Sequence, residues 1–255
     1  MSTLRLLLLA LGTLGAGLLS SITGGTSLIT VPLLLLAGVE PQSAIGTNMI
    51  VVAALSAGSA ARFQMVKAVP RDPTLVLALA AIPGSLLGAL AAVWLDERTL
   101  RLIISAALLT MAALLTVHPT FGASRAKPEP RLRMLGYLVL SLWAVYGGMF
   151  SGGYATLLTF GVVFFFGRTL PEAIAASKII NFLGSAAASI VFVSRGLVRW
   201  DVAVCMGIAA ATGGWLGAKV ALRLRPEQIR RLFAVVLAAV GAKVGYDACR
   251  SHRST

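Results

Sequence analysis

Histidine and cysteine are nearly missing from this chain, with two of each in 255 residues. His118 and His252 sit at or beyond the ends of apolar segments, so a metal centre of the usual His/Cys type is not expected. Cys205 lies in an apolar run and Cys249 in the tail, which makes no disulfide framework. Acidic residues are scarce too: Asp and Glu total 9, at or near segment ends. Catalysis needs a nucleophile beside a base, or paired carboxylates, or a metal. The serines of the apolar runs have no histidine to activate them, so an enzyme is not expected. No nucleotide-binding motif is visible, and no cofactor is expected.

Charge of either sign is sparse at 12%, while 58% of residues are hydrophobic. A soluble domain of this size could not bury so much apolar surface, so the solvent expected is the hydrocarbon core of a bilayer. A cleaved signal peptide explains at most the first apolar run, and no small-residue cleavage site follows it. The net charge of +13 would suggest nucleic acid in a soluble protein. Here the bases fall mainly between apolar runs, at Arg62, Lys67 and Arg71, at Arg125, Lys127, Arg131 and Arg133, and at Arg223, Arg225, Arg230 and Arg231. That distribution reads as anchoring on the cytoplasmic side of a membrane.

The apolar runs repeat. Five segments, Leu4–Leu19, Thr26–Ala37, Ser43–Phe63, Thr74–Leu95 and Leu100–Val117, recur as Leu135–Phe150, Tyr154–Phe166, Ile174–Val193, Val202–Leu222 and Ile229–Tyr246, about 129 residues later. The fold expected is all-α and polytopic, with a first repeat over 1–117, a basic cytoplasmic linker over 118–133 and a second repeat with a short tail over 134–255. The second segment of each half reaches only about 20 Å, less than the roughly 30 Å of the hydrocarbon core. It is therefore a short crossing beside a cavity or a re-entrant half-helix, which leaves about eight full spans plus two short segments. Three or five crossings per half would invert the second repeat; four would leave the halves parallel. Inversion is favoured, because it puts the basic loop around Arg223–Arg231 in the cytoplasm.

Both halves carry a glycine pair inside an apolar run. Thr23-Gly24-Gly25-Thr26-Ser27 precedes the first short segment, and Ser151-Gly152-Gly153-Tyr154 the second, with Thr156 just beyond. A glycine pair in a membrane helix can simply permit close packing. Flanked by hydroxyls at the start of a short helix, it also offers free backbone N–H groups and a positive dipole end, which suit an oxyanion. Polar clusters follow in each half: Thr47 and Asn48 in the first, Ser177, Lys178 and Asn181 in the second. Ser177, Asn181, Ser185 and Ser189 recur every fourth residue and form one helical stripe. Lys178 has two readings, snorkelling to the interface or facing a cavity. Its first-half counterpart is Met49, so the halves are not equivalent. Gly84-xxx-Gly88 and Gly213-xxx-Gly217 read as helix-crossing surfaces.

The run Ile22-Thr23-Gly24-Gly25-Thr26-Ser27-Leu28-Ile29-Thr30-Val31-Pro32, followed by Ala44-Ile45-Gly46-Thr47-Asn48, resembles the sulfite exporter TauE/SafE family. So do Ala176-Ser177-Lys178-Ile179-Ile180-Asn181 and Gly213-Gly214-Trp215-Leu216-Gly217-Ala218. Thr26 and Ser27 stand where that family often has further glycines. The resemblance implies a permease of a bacterial-type inner membrane that handles sulfite or organosulfonates. The expectation is a secondary transporter working by alternating access, with its site between the halves at Thr23–Ser27, Thr47, Asn48, Ser151–Tyr154, Thr156, Ser177, Lys178 and Asn181. An anion channel is the nearest alternative, ahead of an intramembrane enzyme or a structural subunit. The partners expected are a small anionic substrate, the lipid bilayer and a coupling proton or sodium ion. Self-association into a homo-oligomer stays open, and nucleic acid is not expected.

Overall fold

The computed structural model describes residues 3–94 and 128–224, together with Gln228. The expected segments Leu100–Val117 and Ile229–Tyr246, and most of the linker 118–133, lie outside the described residues. Eight helices and no strand are found among those described: α1 (Thr3–Thr23), α2 (Ser27–Leu36), α3 (Pro41–Met65), α4 (Arg71–Trp94), α5 (Pro130–Met149), α6 (Tyr154–Phe166), α7 (Leu170–Ser194) and α8 (Trp200–Ala221). Six of them, all but α2 and α6, are long and apolar enough to cross a membrane.

The six long helices begin earlier than their apolar runs. Pro41 and Pro130 occupy the first turns of α3 and α5, where a missing N–H costs no hydrogen bond. The stretch 118–133 thus ends as helix, not loop. α7 starts at Leu170 because Thr169 and Glu172 form a capping box, with the Thr169 amide donating to Glu172 at 3.1 Å.

The surface is apolar and the interior partly polar. Leu7 and Leu11 on α1, Leu79 and Leu87 on α4, Leu138 and Leu142 on α5, Ile190 on α7 and Ile208 on α8 all face outward. Ser21, Asn48, Ser56, Ser59, Ser177 and Asn181 are buried. Such an inside-out distribution fits hydrocarbon as solvent, where polar side chains stabilise by finding partners between helices.

α3 and α7 run through the centre and pack on each other. α8 packs on α1 and α3, while α4 packs on α5 and α7. The short helices lie on the central ones, α2 on α3 and α6 on α7. Contacts at the two ends fix how the hairpins open. Arg133 near the start of α5 pairs with Asp72 at 2.6 Å, and Arg168 just past α6 donates to the Asp72 carbonyl. Thus α5–α6 opens toward the start of α4. At the other end, the Cys205 thiol of α8 reaches the Leu6 carbonyl of α1, and Thr47 of α3 accepts the Arg199 amide at 3.0 Å. Thus α1–α2 opens toward the start of α8.

Close helix crossings fall where glycines recur. A Cβ at Gly88 would meet the Val145 carbonyl of α5, and one at Gly217 the Leu18 carbonyl of α1. The Gly-xxx-Gly pairs of α4 and α8 therefore let backbone approach backbone across two separate crossings.

Candidate functional site

Each glycine pair breaks a helix and reverses the chain. Gly24 and Gly25 have φ of +76° and +81°, a left-handed conformation that only glycine adopts without strain. In the second break Ser151 and Gly153 take that conformation, with φ of 60° and 80°. The Tyr146 hydroxyl donates to the Gly152 carbonyl and helps hold this turn.

The two breaks meet through the first turn of α6. The Thr156 hydroxyl donates to the Thr23 carbonyl at 2.6 Å. A Cβ on Gly24 would lie 2.6 Å from the Thr156 hydroxyl oxygen and 2.8 Å from the Thr156 nitrogen. The carbonyl end of α1, which carries partial negative charge, thus faces the amide end of α6, which carries partial positive charge.

Polar clasps tie the short helices to the central ones. The Asn48 amide donates to Ser27 at 2.8 Å, and Thr30 donates to the Asn48 amide oxygen. In the second half Thr159 donates to the Ser177 hydroxyl at 3.1 Å. Asn181 links the centres by donating to Ser56 at 3.0 Å, while Ser185 and Ser151 approach its oxygen at 3.3 and 3.5 Å. Within the stripe of α7, Asn181 therefore faces α3 and Ser177 faces α6.

Lys178 is 1% exposed, so it does not snorkel. It is the only buried Lys, Arg, Asp or Glu among the described residues. Its ammonium donates to the Ser20 carbonyl at 2.6 Å, on the last turn of α1. That carbonyl also accepts the Gly24 amide at 2.9 Å. No group of three or more His, Cys, Asp or Glu suited to a metal exists among the described residues.

Most of the expected site residues share this junction: Thr23, Gly24, Thr156 and Lys178 at its centre, Ser27 with Asn48, Ser151 with Asn181, and Ser177 behind Thr159. Gly25, Thr26, Gly152 and Gly153 form the turns themselves. Thr47 and Tyr154 point elsewhere. Thr47 serves the start of α8, and the Tyr154 ring packs on Gly147 in an apolar cluster, its hydroxyl buried without a hydrogen-bond partner. The sequence reading missed Ser20, which contributes a backbone oxygen, and Thr30, Thr159, Ser56 and Tyr146. A signal for two of these existed: Thr30 and Thr159 each precede their clasp partner by 18 residues.

Comparison with known proteins bears on what such a junction does. The family model described as sulfite exporter TauE/SafE matches residues 8–244. A probable membrane transporter protein of Haemophilus influenzae is 27% identical over 232 residues, covering 91% of each chain. The probable membrane transporter protein YfcA of Escherichia coli K12 is 27% identical over 91% of this chain and 86% of its own. YunE of Bacillus subtilis, also named a probable membrane transporter protein, is 25% identical over 91% of this chain and 94% of its own. No solved structure matches.

Proposed function

The chain belongs to the sulfite exporter TauE/SafE family of membrane transporters, and on that premise we propose that it moves a small sulfur oxyanion or organosulfonate by alternating access. The observation that carries this reading is the junction of the two broken helices, with one buried ammonium and several hydroxyl and amide donors around it. Broken helices that meet between two halves are a recurrent way to hold an ion away from lipid. Lys178 compensates the charge of a bound anion, and Ser151, only 3.5 Å from its Asn181 acceptor, and the second N–H of the Asn181 amide supply neutral donors.

The two halves are read as inverted repeats. The order of helix lengths supports the repeat, at 21, 10, 25 and 24 residues against 20, 13, 25 and 22. So does the pairing of contacts: exchanging the halves turns α1–α8 into α5–α4 and α3–α8 into α7–α4. The hairpins open toward opposite ends of the bundle. One end gathers Arg62, Lys67, Arg71, Arg133 and Arg168, and it is assigned to the cytoplasm of a bacterial-type inner membrane. In a chain free of Cys205 and Cys249, a cysteine at Lys67 resists membrane-impermeant thiol reagents in intact cells, and one at Arg195 is labelled. The opposite pattern reverses the orientation.

Transport is tested in proteoliposomes with radiolabelled sulfite and sulfoacetate. Saturable uptake with counterflow is expected, and large unitary currents would instead make the protein a channel. Lys178→Met weakens anion binding by about 1–3 kcal/mol, the range for one charge-assisted hydrogen bond. Lys178→Arg keeps part of the anion affinity, since it keeps the charge but changes donor geometry. Equal affinity for wild type and Lys178→Met would remove Lys178 from the anion site.

A further inference from the structure

We propose that the carbonyl end of α1 is a cation seat filled by the protein's own Lys178 ammonium in place of a metal ion, so that transport needs no sodium and is coupled to a proton. This rests on the transporter reading above. The helix dipole places partial negative charge on the last turn of α1, where the Ser20 carbonyl has a lone pair to spare beyond the one that accepts the Gly24 amide. The Ser20 oxygen holds the Lys178 ammonium at 2.6 Å, and the neighbouring Thr23 oxygen accepts the Thr156 hydroxyl. In transporters with broken helices, unwound backbone and half-helix carbonyl ends coordinate the coupling cation.

No carboxylate is buried among the described residues, so nothing acidic shares the charge of Lys178. Of the elements packed on α7, neither α1, α3 nor α4 brings another buried titratable side chain among those residues. α5 brings the phenol of Tyr146, committed to the Gly152 carbonyl, and α6 that of Tyr154. Before substrate binds, a sodium ion at the same carbonyls would face an ammonium with no buried carboxylate between them, and like charges at that range exclude each other. The seat is also single. Met49 stands in the first half where Lys178 stands in the second, and a phenol, not an ammonium, serves the second break.

An ammonium differs from a metal ion in one respect: it is tethered and leaves the charged state only by losing a proton. When the junction opens to water, Lys178 gives one proton to solvent and becomes a neutral amine. Its hold on the Ser20 carbonyl weakens and the end of α1 is freed. Rebinding a proton from the other side restores the contact.

The test begins without any substrate. The purified full chain is melted in sodium chloride and in choline chloride at equal ionic strength. Wild type and Lys178→Arg should melt at the same temperature in both salts. Lys178→Ala and Lys178→Ser, which empty the seat, should be stabilised by sodium, and Lys178→Met, which fills it with a neutral chain, should not. Specific stabilisation of wild type by sodium, or no sodium response in either emptied variant, would overturn the proposal. The second arm is wild-type sulfite uptake under a proton gradient in sodium-free medium. Uptake there supports the proposal, and a strict sodium requirement refutes it. A sodium response confined to the emptied variants, with no anion transported under any gradient, would retain the seat and reject the anion transporter.

Discussion

Gly24→Val is expected to insert normally and to abolish uptake. Two costs combine at this position. With φ at +76°, any side chain there is strained by about 1–2 kcal/mol. The new Cβ would also lie 2.6 Å from the Thr156 hydroxyl oxygen and 2.8 Å from its nitrogen, so α6 must shift away from α1. That shift breaks the Thr156–Thr23 hydrogen bond and moves the Ser20 carbonyl relative to Lys178. Gly38 is the matched control. Its φ is +83°, but a Cβ there meets nothing within 4 Å. Gly38→Ala therefore carries only the conformational term, about 1–2 kcal/mol, and keeps its activity. Fluorescence-detected size exclusion reports folding and insertion, and labelled sulfite uptake reports function. Wild-type uptake by a correctly inserted Gly24→Val protein would show that the meeting of the breaks is incidental to transport.

The breaks were legible because each glycine pair is flanked by hydroxyls at the start of a short apolar segment, and because the pattern occurs twice. The apolar runs also located the helices well. Tyr154–Phe166 agrees with α6 at both ends, bounded as it is by glycines. Elsewhere hydropathy located the membrane-facing part of a helix and missed its polar first turn, as at Pro130 and Leu170. The serine stripe of α7 was readable from its four-residue spacing. What hydropathy and spacing could not show is which groups meet across the halves. Lys178 finds a backbone carbonyl, and a carbonyl at Ser20 leaves no mark in the identity of residue 20. Thr47 and Asn48 look equivalent in a motif, yet neighbouring helical residues point about 100° apart. Asn48 turns to the short helix and Thr47 to the start of α8. Tyr154 adjoins Gly153, but its ring fills the space left by Gly147, a packing partner no local pattern announces.

The Gly-xxx-Gly pairs lead to the other large effect. Gly88→Ala and Gly217→Ala should each destabilise the protein by about 1–3 kcal/mol, the usual cost of overpacking. At Gly88 the added methyl group would meet the Val145 carbonyl and lie 3.0 Å from the Met149 nitrogen. At Gly217 it would lie 2.9 Å from the Leu18 Cα and meet its carbonyl. These obstacles are backbone, which cannot step aside as a flexible side chain can, so the helix axes must separate. Helix propensity favours alanine over glycine by only about 0.5–1 kcal/mol and does not offset this. Gly15 isolates that favourable term, because a Cβ there meets nothing within 4 Å. Gly15→Ala should leave the melting temperature unchanged or raise it. Gly88 serves the α4–α5 crossing and Gly217 the α1–α8 crossing, and each joins a helix of the first half to one of the second. The double variant should lose the sum of the single costs if the two crossings yield independently. Melting curves of wild type and the four variants in one detergent decide it. A Gly88→Ala protein as stable as Gly15→Ala would mean that α4 and α5 can separate without cost, and that the crossings do not hold the halves together.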